Sequence, residues 1–98
     1  MLYSTGSFFG TGSDLTVDKV GFRPKVVKVY NADGNCFAIH TELMDPDSMQ
    51  KTVDSGSGAT DISLVSSNGI TLRTNGFALG ADSDLNAVGE ECLYECYQ

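Results

Sequence analysis

The sequence holds no tryptophan, one histidine, two prolines, six basic residues and an odd number of cysteines, and each scarcity narrows what the chain does. Without tryptophan it lacks the large amphipathic ring that carbohydrate sites favour for stacking. A zinc site would want closer cysteine pairs and more histidine, and His40 is the one histidine present. Cys92 and Cys96, four apart on a strand, would face the same side about 13 Å from each other, too far to bond. Three cysteines (with Cys36) and no basic, apolar leader in Leu2-Tyr3-Ser4-Thr5-Gly6 lead us to expect reduced, buried or half-buried thiols and synthesis in a cytoplasm. No apolar run approaches the roughly 20 residues of a membrane helix, so a soluble chain without a membrane partner is expected. Six basic against thirteen acidic residues give a net charge of −7, which disfavours nucleic acid as a partner.

Reaction chemistry is equally thin. Gly10-Thr11-Gly12-Ser13 has neither the lysine nor the strand–loop–helix setting of a phosphate loop and reads as a tight turn. Nothing in the spacing brings a nucleophile to His40, which reads as a polar residue at a strand end, and no Gly-x-Ser-x-Gly elbow exists. Asp82, Asp84 and Asn86 alternate like the ligands of a calcium loop, but the glycine at its sixth position and the glutamate at its twelfth are missing. We expect no catalytic residue, no metal and no cofactor. The chain reads as a binding and assembly protein, not an enzyme.

What is present is a rhythm of short strands and turns. An apolar fraction of 41%, a charged fraction of 19% and 11 glycines suit many turns between strands, and disorder is excluded by β-branched runs such as Lys25–Tyr30. The pattern predicts strands at Ser7–Phe9, Leu15–Val17 and Lys25–Tyr30, the last with Val27 and Val29 on one face and Pro24 at its start. Asp33-Gly34 predicts a hairpin to Cys36–Thr41, with Phe37 and Ile39 on the inner face. Residues 42–61, with Asp45-Pro46-Asp47 and Ser55-Gly56-Ser57-Gly58, read as a loop holding at most one short helical turn around Ser48–Val53. A second hairpin is expected from Ile62–Val65 and Ile70–Arg73 about Ser66-Ser67-Asn68-Gly69. Asn75-Gly76 turns the chain into Phe77–Leu79, and Glu91–Tyr97 closes it. Short strands every eight to twelve residues predict one all-β domain over residues 1–98, a small antiparallel sandwich or jelly-roll-like barrel.

Phe8 and Phe9 stand out because neighbours on a strand point to opposite faces. One of them must leave the core unless a subunit interface or an overlying loop covers the second face. Basic residues collect early (Lys19, Arg23, Lys25, Lys28) and the last third is acidic, an asymmetry that suits head-to-tail docking and equally suits solvated faces.

Phe9-Gly10-Thr11-Gly12, the strand Gly21–Asn31, Gly69-Ile70-Thr71-Leu72, Gly76-Phe77-Ala78-Leu79-Gly80-Ala81-Asp82 and Leu85-Asn86-Ala87-Val88-Gly89 together resemble a pattern of small virion proteins of tailed bacteriophages. The resemblance spans nearly the whole chain through short, glycine-driven motifs. It departs at the end, where Cys92-Leu93-Tyr94-Glu95-Cys96-Tyr97 replaces an aromatic strand that often carries histidine. Chains of this length resemble capsid decoration, or cement, proteins. That resemblance implies a homo-oligomer, often a trimer, made in a host bacterial cytoplasm and seated on the capsid surface, where it clamps neighbouring major capsid subunits. The same pattern occurs as a module of tail-fibre or tail-tip proteins, which implies the alternative of receptor or glycan binding. The expected contact surfaces are the N-terminal segment (about residues 1–14, with Tyr3, Phe8 and Phe9) and the 42–61 loop, with Asp45, Pro46 and Met49.

Overall fold

The computed structural model describes residues 2–54 and 60–98. Eight strands form one antiparallel sheet: β1 (Tyr3–Phe9), β2 (Leu15–Val17), β3 (Val26–Asn31), β4 (Cys36–Thr41), β5 (Ser48–Asp54), β6 (Thr60–Arg73), β7 (Gly76–Leu79) and β8 (Glu91–Tyr97). Their order across the sheet is β1-β8-β3-β4-β5-β6-β7-β2. The sheet curls into a nearly closed barrel, so the all-β expectation holds in its barrel form. The open seam lies between β1 and β2, where the Lys19 ammonium donates to the Ser7 carbonyl at 3.0 Å.

The β3–β4 hairpin sets which side chains meet inside. Asn31 pins its turn, accepting from the Asp33 and Gly34 amides at 2.9 and 3.0 Å on one side-chain oxygen, as an Asx turn does. The resulting register pairs Val27 with His40, Val29 with Ala38, Lys28 with Ile39 and Tyr30 with Phe37. Val27 and Val29 are fully buried, as read from the sequence; Ala38 and His40 join them, and Cys36 ends the row. Phe37 and Ile39 therefore point outward, which corrects their expected inner placement. The cause is parity: residues directly opposite in an antiparallel pair share a face, and a one-residue change inverts the whole set.

The interior is closed by Phe77, Met49, Ile70, Leu79 and Leu85, all at most 1% exposed, with Phe77 edge-on to Tyr94 at 5.6 Å and to Phe8 at 6.3 Å. Gly6 makes room for this cluster, since a Cβ there would lie 2.5 Å from the Tyr94 hydroxyl. Gly76 does the same for the strand beside it, because its Cβ would collide with the Val17 carbonyl.

Two expectations between residues 42 and 73 are corrected. No helical turn forms at Ser48–Val53; Ser48–Asp54 is β5, paired along its length with β6. Met49, Lys51 and Val53 face inward, and the inward lysine disguises the alternation. Its charge is met by carboxylates 31 and 33 positions away in sequence, Asp82 at 2.8 Å and Asp84 at 2.6 Å. Ser66–Gly69 is not a hairpin turn but a broad bulge within β6, lying between Val65, opposite Met49, and Ile70, opposite Ser48. The Asp47 carboxylate holds the bulge by accepting from the Asn68 and Gly69 amides at 3.3 and 3.1 Å. Both Asp47 (φ 66°) and Asn68 (φ 56°) take the left-handed conformation this requires. The Ser55–Gly58 part of the expected loop lies outside the described residues. The true β6–β7 hairpin turns at Thr74-Asn75.

Phe77→Ala should cost about 3–5 kcal/mol, because it empties a site surrounded by packed rings. Leu43→Ala, at a side chain 93% exposed, should stay within about 0.5 kcal/mol of the parent. Urea denaturation of the two variants measures the contrast.

Candidate interaction surface

The polar residues singled out from the sequence are absorbed in holding the barrel together. Asp82 pairs with Lys51 and also accepts from the amides of Asp84 (2.9 Å) and Leu85 (3.0 Å). Burial pulls the Lys51 pKa down, but its hydrogen bonds to the Asp82 and Asp84 carboxylates, with their negative charge, outweigh it and the pKa is raised. Asn86, 1% exposed, donates to the Ser13 and Gly80 carbonyls and accepts from the Thr11 amide, tying the β1–β2 turn to the segment before β8. Asp82, Asp84 and Asn86 are thus engaged with protein partners, and no cluster of three His, Cys, Asp or Glu able to hold a metal occurs among the described residues.

His40 is next to last in β4 but faces inward, 2% exposed. Its Nδ1 lies 2.7 Å from the Ser48 carbonyl, which can only accept, so Nδ1 carries the proton and the ring bridges β4 and β5. Burial lowers its pKa from 6.5, against a smaller raising effect of that carbonyl. The three thiols are free and buried, and desolvation pushes Cys36 and Cys92 to about 11 and Cys96 to about 12. The nucleophilic thiolate is therefore scarce at neutral pH.

What remains for contact is the outer surface. Of the N-terminal residues, Phe9 is 62% exposed and Tyr3 70% exposed, whereas Phe8 is half-buried against Phe77. The Phe8–Phe9 pair thus divides between faces as the alternation required. Tyr3 stacks on Tyr97 at 6.4 Å and lies at the barrel end where residues 42–47 connect β4 to β5. Phe9 sits at the far end of β1, about 20 Å away along six residue steps. Asp45 and Pro46 are exposed in the β4–β5 connection. Met49 is fully buried in the core, which removes it from the expected contact set: its inward parity on β5 forbids the role.

The register reveals a surface that the sequence reading missed. One outer row runs Leu93–Tyr30–Phe37–Thr52–Ile62 across β8, β3, β4, β5 and β6. The adjoining row runs Glu95–Lys28–Ile39–Gln50–Leu64 over the same strands. Tyr30 and Phe37 pack ring to ring at 4.8 Å, and Leu93, Ile62 and Leu64 are 45, 64 and 71% exposed. The only charges in these rows are turned onto their neighbours. Glu95 accepts from the Tyr97 and Tyr30 hydroxyls, which hold its carboxyl below the usual range, and the Lys28 ammonium lies 5.7 Å from the Tyr97 ring centroid. Five strands at about 4.8 Å spacing make a face roughly 20 Å wide, and with the Tyr3–Tyr97–Val26 row it covers on the order of 300 Å². Thr52, Gln50, Lys28 and Glu95 take up part of that face, so its apolar area falls within what ordinary monomers expose.

No protein-family model, no curated protein and no solved structure matches the chain.

Because the folded imidazole holds its proton less tightly than the unfolded one, the unfolded chain binds more protons just below 6.5. The contribution of neutral His40 is therefore present above 6.5 and is lost as pH falls below it. The urea midpoint should drop between pH 7.5 and 5.5, before most carboxylates titrate, and His40→Gln should flatten that slope. Separately, a thiol-reactive dye at pH 7.5 should label none of the cysteines in the native protein within minutes and all three in denaturant.

Proposed function

We propose that the protein is a structural component of a tailed-bacteriophage particle that self-associates and binds the outside of the capsid, stabilising contacts between major capsid subunits. The apolar outer face carries the assembly part of this reading. The barrel interior is already filled, so Leu93, Phe37, Ile62 and Leu64 on the outside are surplus to folding and gain most by being covered. A face of on the order of 300 Å² suits the centre of an interface whose polar rim brings the total toward about 800 Å² per partner. The virion context rests on the motif resemblance of Phe9–Gly12, Gly21–Asn31, Gly69–Leu72, Gly76–Asp82 and Leu85–Gly89. No chemistry is asked of the protein: on a shell strained by packed DNA, many weak contacts made by repeated copies suffice through avidity.

Immuno-electron microscopy of phage particles whose genome encodes this chain tests the reading. Label distributed over the head is expected. Label confined to the tail tip would move the function to receptor or glycan binding, and particles that carry no label would overturn the virion assignment.

A further inference from the structure

β6 is divided between two neighbours. Its second part, Ile70–Arg73, pairs with β7, whereas Thr60–Val65 pairs with β5 alone. The other edge of Thr60–Val65 therefore has no neighbouring strand among the described residues. The two end strands of the sheet, β1 and β2, lie along the shared seam bridged by Lys19 and Ser7, with Phe8, Phe9, Leu15 and Val17 lining one depression there. Among the described residues, the β6 segment is the edge that no other strand engages. Ile62 and Leu64 on its outer face are largely exposed, and Asp61 and Ser63, at inward positions, are exposed as well. The segment projects past the barrel wall.

An edge of this kind is a template for pairing, and proteins usually blunt it with lysine, proline or a bulge. Thr60-Asp61-Ile62-Ser63-Leu64-Val65 has no lysine and no proline, its one charge is Asp61 near the start, and the bulge comes only after it. We propose that a second copy of this chain pairs along this edge, β6 against β6 in antiparallel fashion about a two-fold axis. This deepens the reading above by naming the surface through which copies join.

Charge argues for a second copy. Each chain carries −7, so two copies repel at most approaches, yet from Ile62 to Ala81 there is no carboxylate and one arginine, Arg73. The pattern also complements itself. Directly opposed residues must share a face, which allows the register that sets Ile62 against Leu64 of the second copy, Leu64 against its Ile62, and Ser63 against Ser63 on the axis. Asp61 then faces Val65 of the second copy, so the two Asp61 carboxylates do not meet. The Leu93–Tyr30–Phe37–Thr52–Ile62 row runs on into Leu64 of the second copy, and the apolar outer face becomes continuous across both molecules. Six residues per strand give about 20 Å of shared ladder.

Sedimentation velocity on the full-length protein over a range of concentrations tests this with a charge swap. The parent should show a concentration-dependent dimer or an assembly built on it. Ile62→Lys/Leu64→Lys sets two like-charge pairs across the axis and should raise the dissociation constant at least about tenfold. Ile62→Glu/Leu64→Lys sets two opposite-charge pairs in the proposed register and should restore association to within about threefold of the parent. Both positions are surface-exposed, so the thermal midpoint of each variant at a concentration where the parent is monomeric should match it and exclude misfolding. A parent that stays monomeric at every concentration overturns the proposal. So does an oligomer indifferent to the lysine pair, and so does failure of the Glu/Lys variant to recover. The microscopy above reads independently: capsid label with an unaffected oligomer rejects the β6 edge alone, and a β6-dependent dimer without label rejects the virion reading alone.

Discussion

The side-chain oxygen of Asn31, taking two turn amides, is the contact on which the rest of the molecule depends. It fixes the length of the β3–β4 turn, and that length fixes parity for every strand hydrogen-bonded outward from the hairpin. Val27, Val29, Ala38 and His40 go in; Tyr30, Phe37 and Ile39 go out. Through β5 the same parity sends Met49 and Lys51 inward and leaves Ile62 and Leu64 outside; through β8 it buries Cys92, Tyr94 and Cys96 and exposes Leu93. Asn31 is itself held, donating to Glu90 at 2.8 Å and to the Asp84 carbonyl, so the hairpin and the segment before β8 set each other's position.

One curled sheet has one inside, and here it is occupied. The buried polar residues Asn31, His40, Ser48, Asp82 and Asn86 have hydrogen-bond partners within the chain, and no buried side-chain nitrogen or oxygen among the described residues goes without one. The interaction we propose uses the outer face, where Tyr30, Phe37 and Leu93 stand on strands backed by the buried side chains of β3, β4 and β8. Stiffness matters, because a surface that need not be ordered on binding gives up less entropy.

The fold was legible where local chemistry decided it. The β3 strand, the Asp33-Gly34 turn, the Asn75-Gly76 region and the closing strand all follow from β-branched runs and turn residues. It was illegible where distant residues decided it. Lys51 breaks the apolar alternation of β5 and makes sense only beside Asp82 and Asp84. Ser66-Ser67-Asn68-Gly69 has the composition of a turn and becomes a bulge because Asp47 holds its amides. Within the candidate surface, the splitting of Phe8 from Phe9 followed from strand geometry alone. The outer rows did not, since Phe37 and Ile39 can be placed outside only once the hairpin register is known. Met49 falls in the 42–61 stretch that reads as a loop, yet one change of direction at Asp47 carries the chain from the surface into the core.

The continuity of β6 has a mechanical meaning. A single strand passes from the projecting arm into the barrel wall, so a pull on the arm along its axis loads the ladders on both sides lengthwise. Hydrogen bonds lie across the strands and share such a load, instead of parting one at a time as in peeling. The slack in this cable is the Ser66–Gly69 bulge, and the clasp that keeps it from straightening is the carboxylate of Asp47.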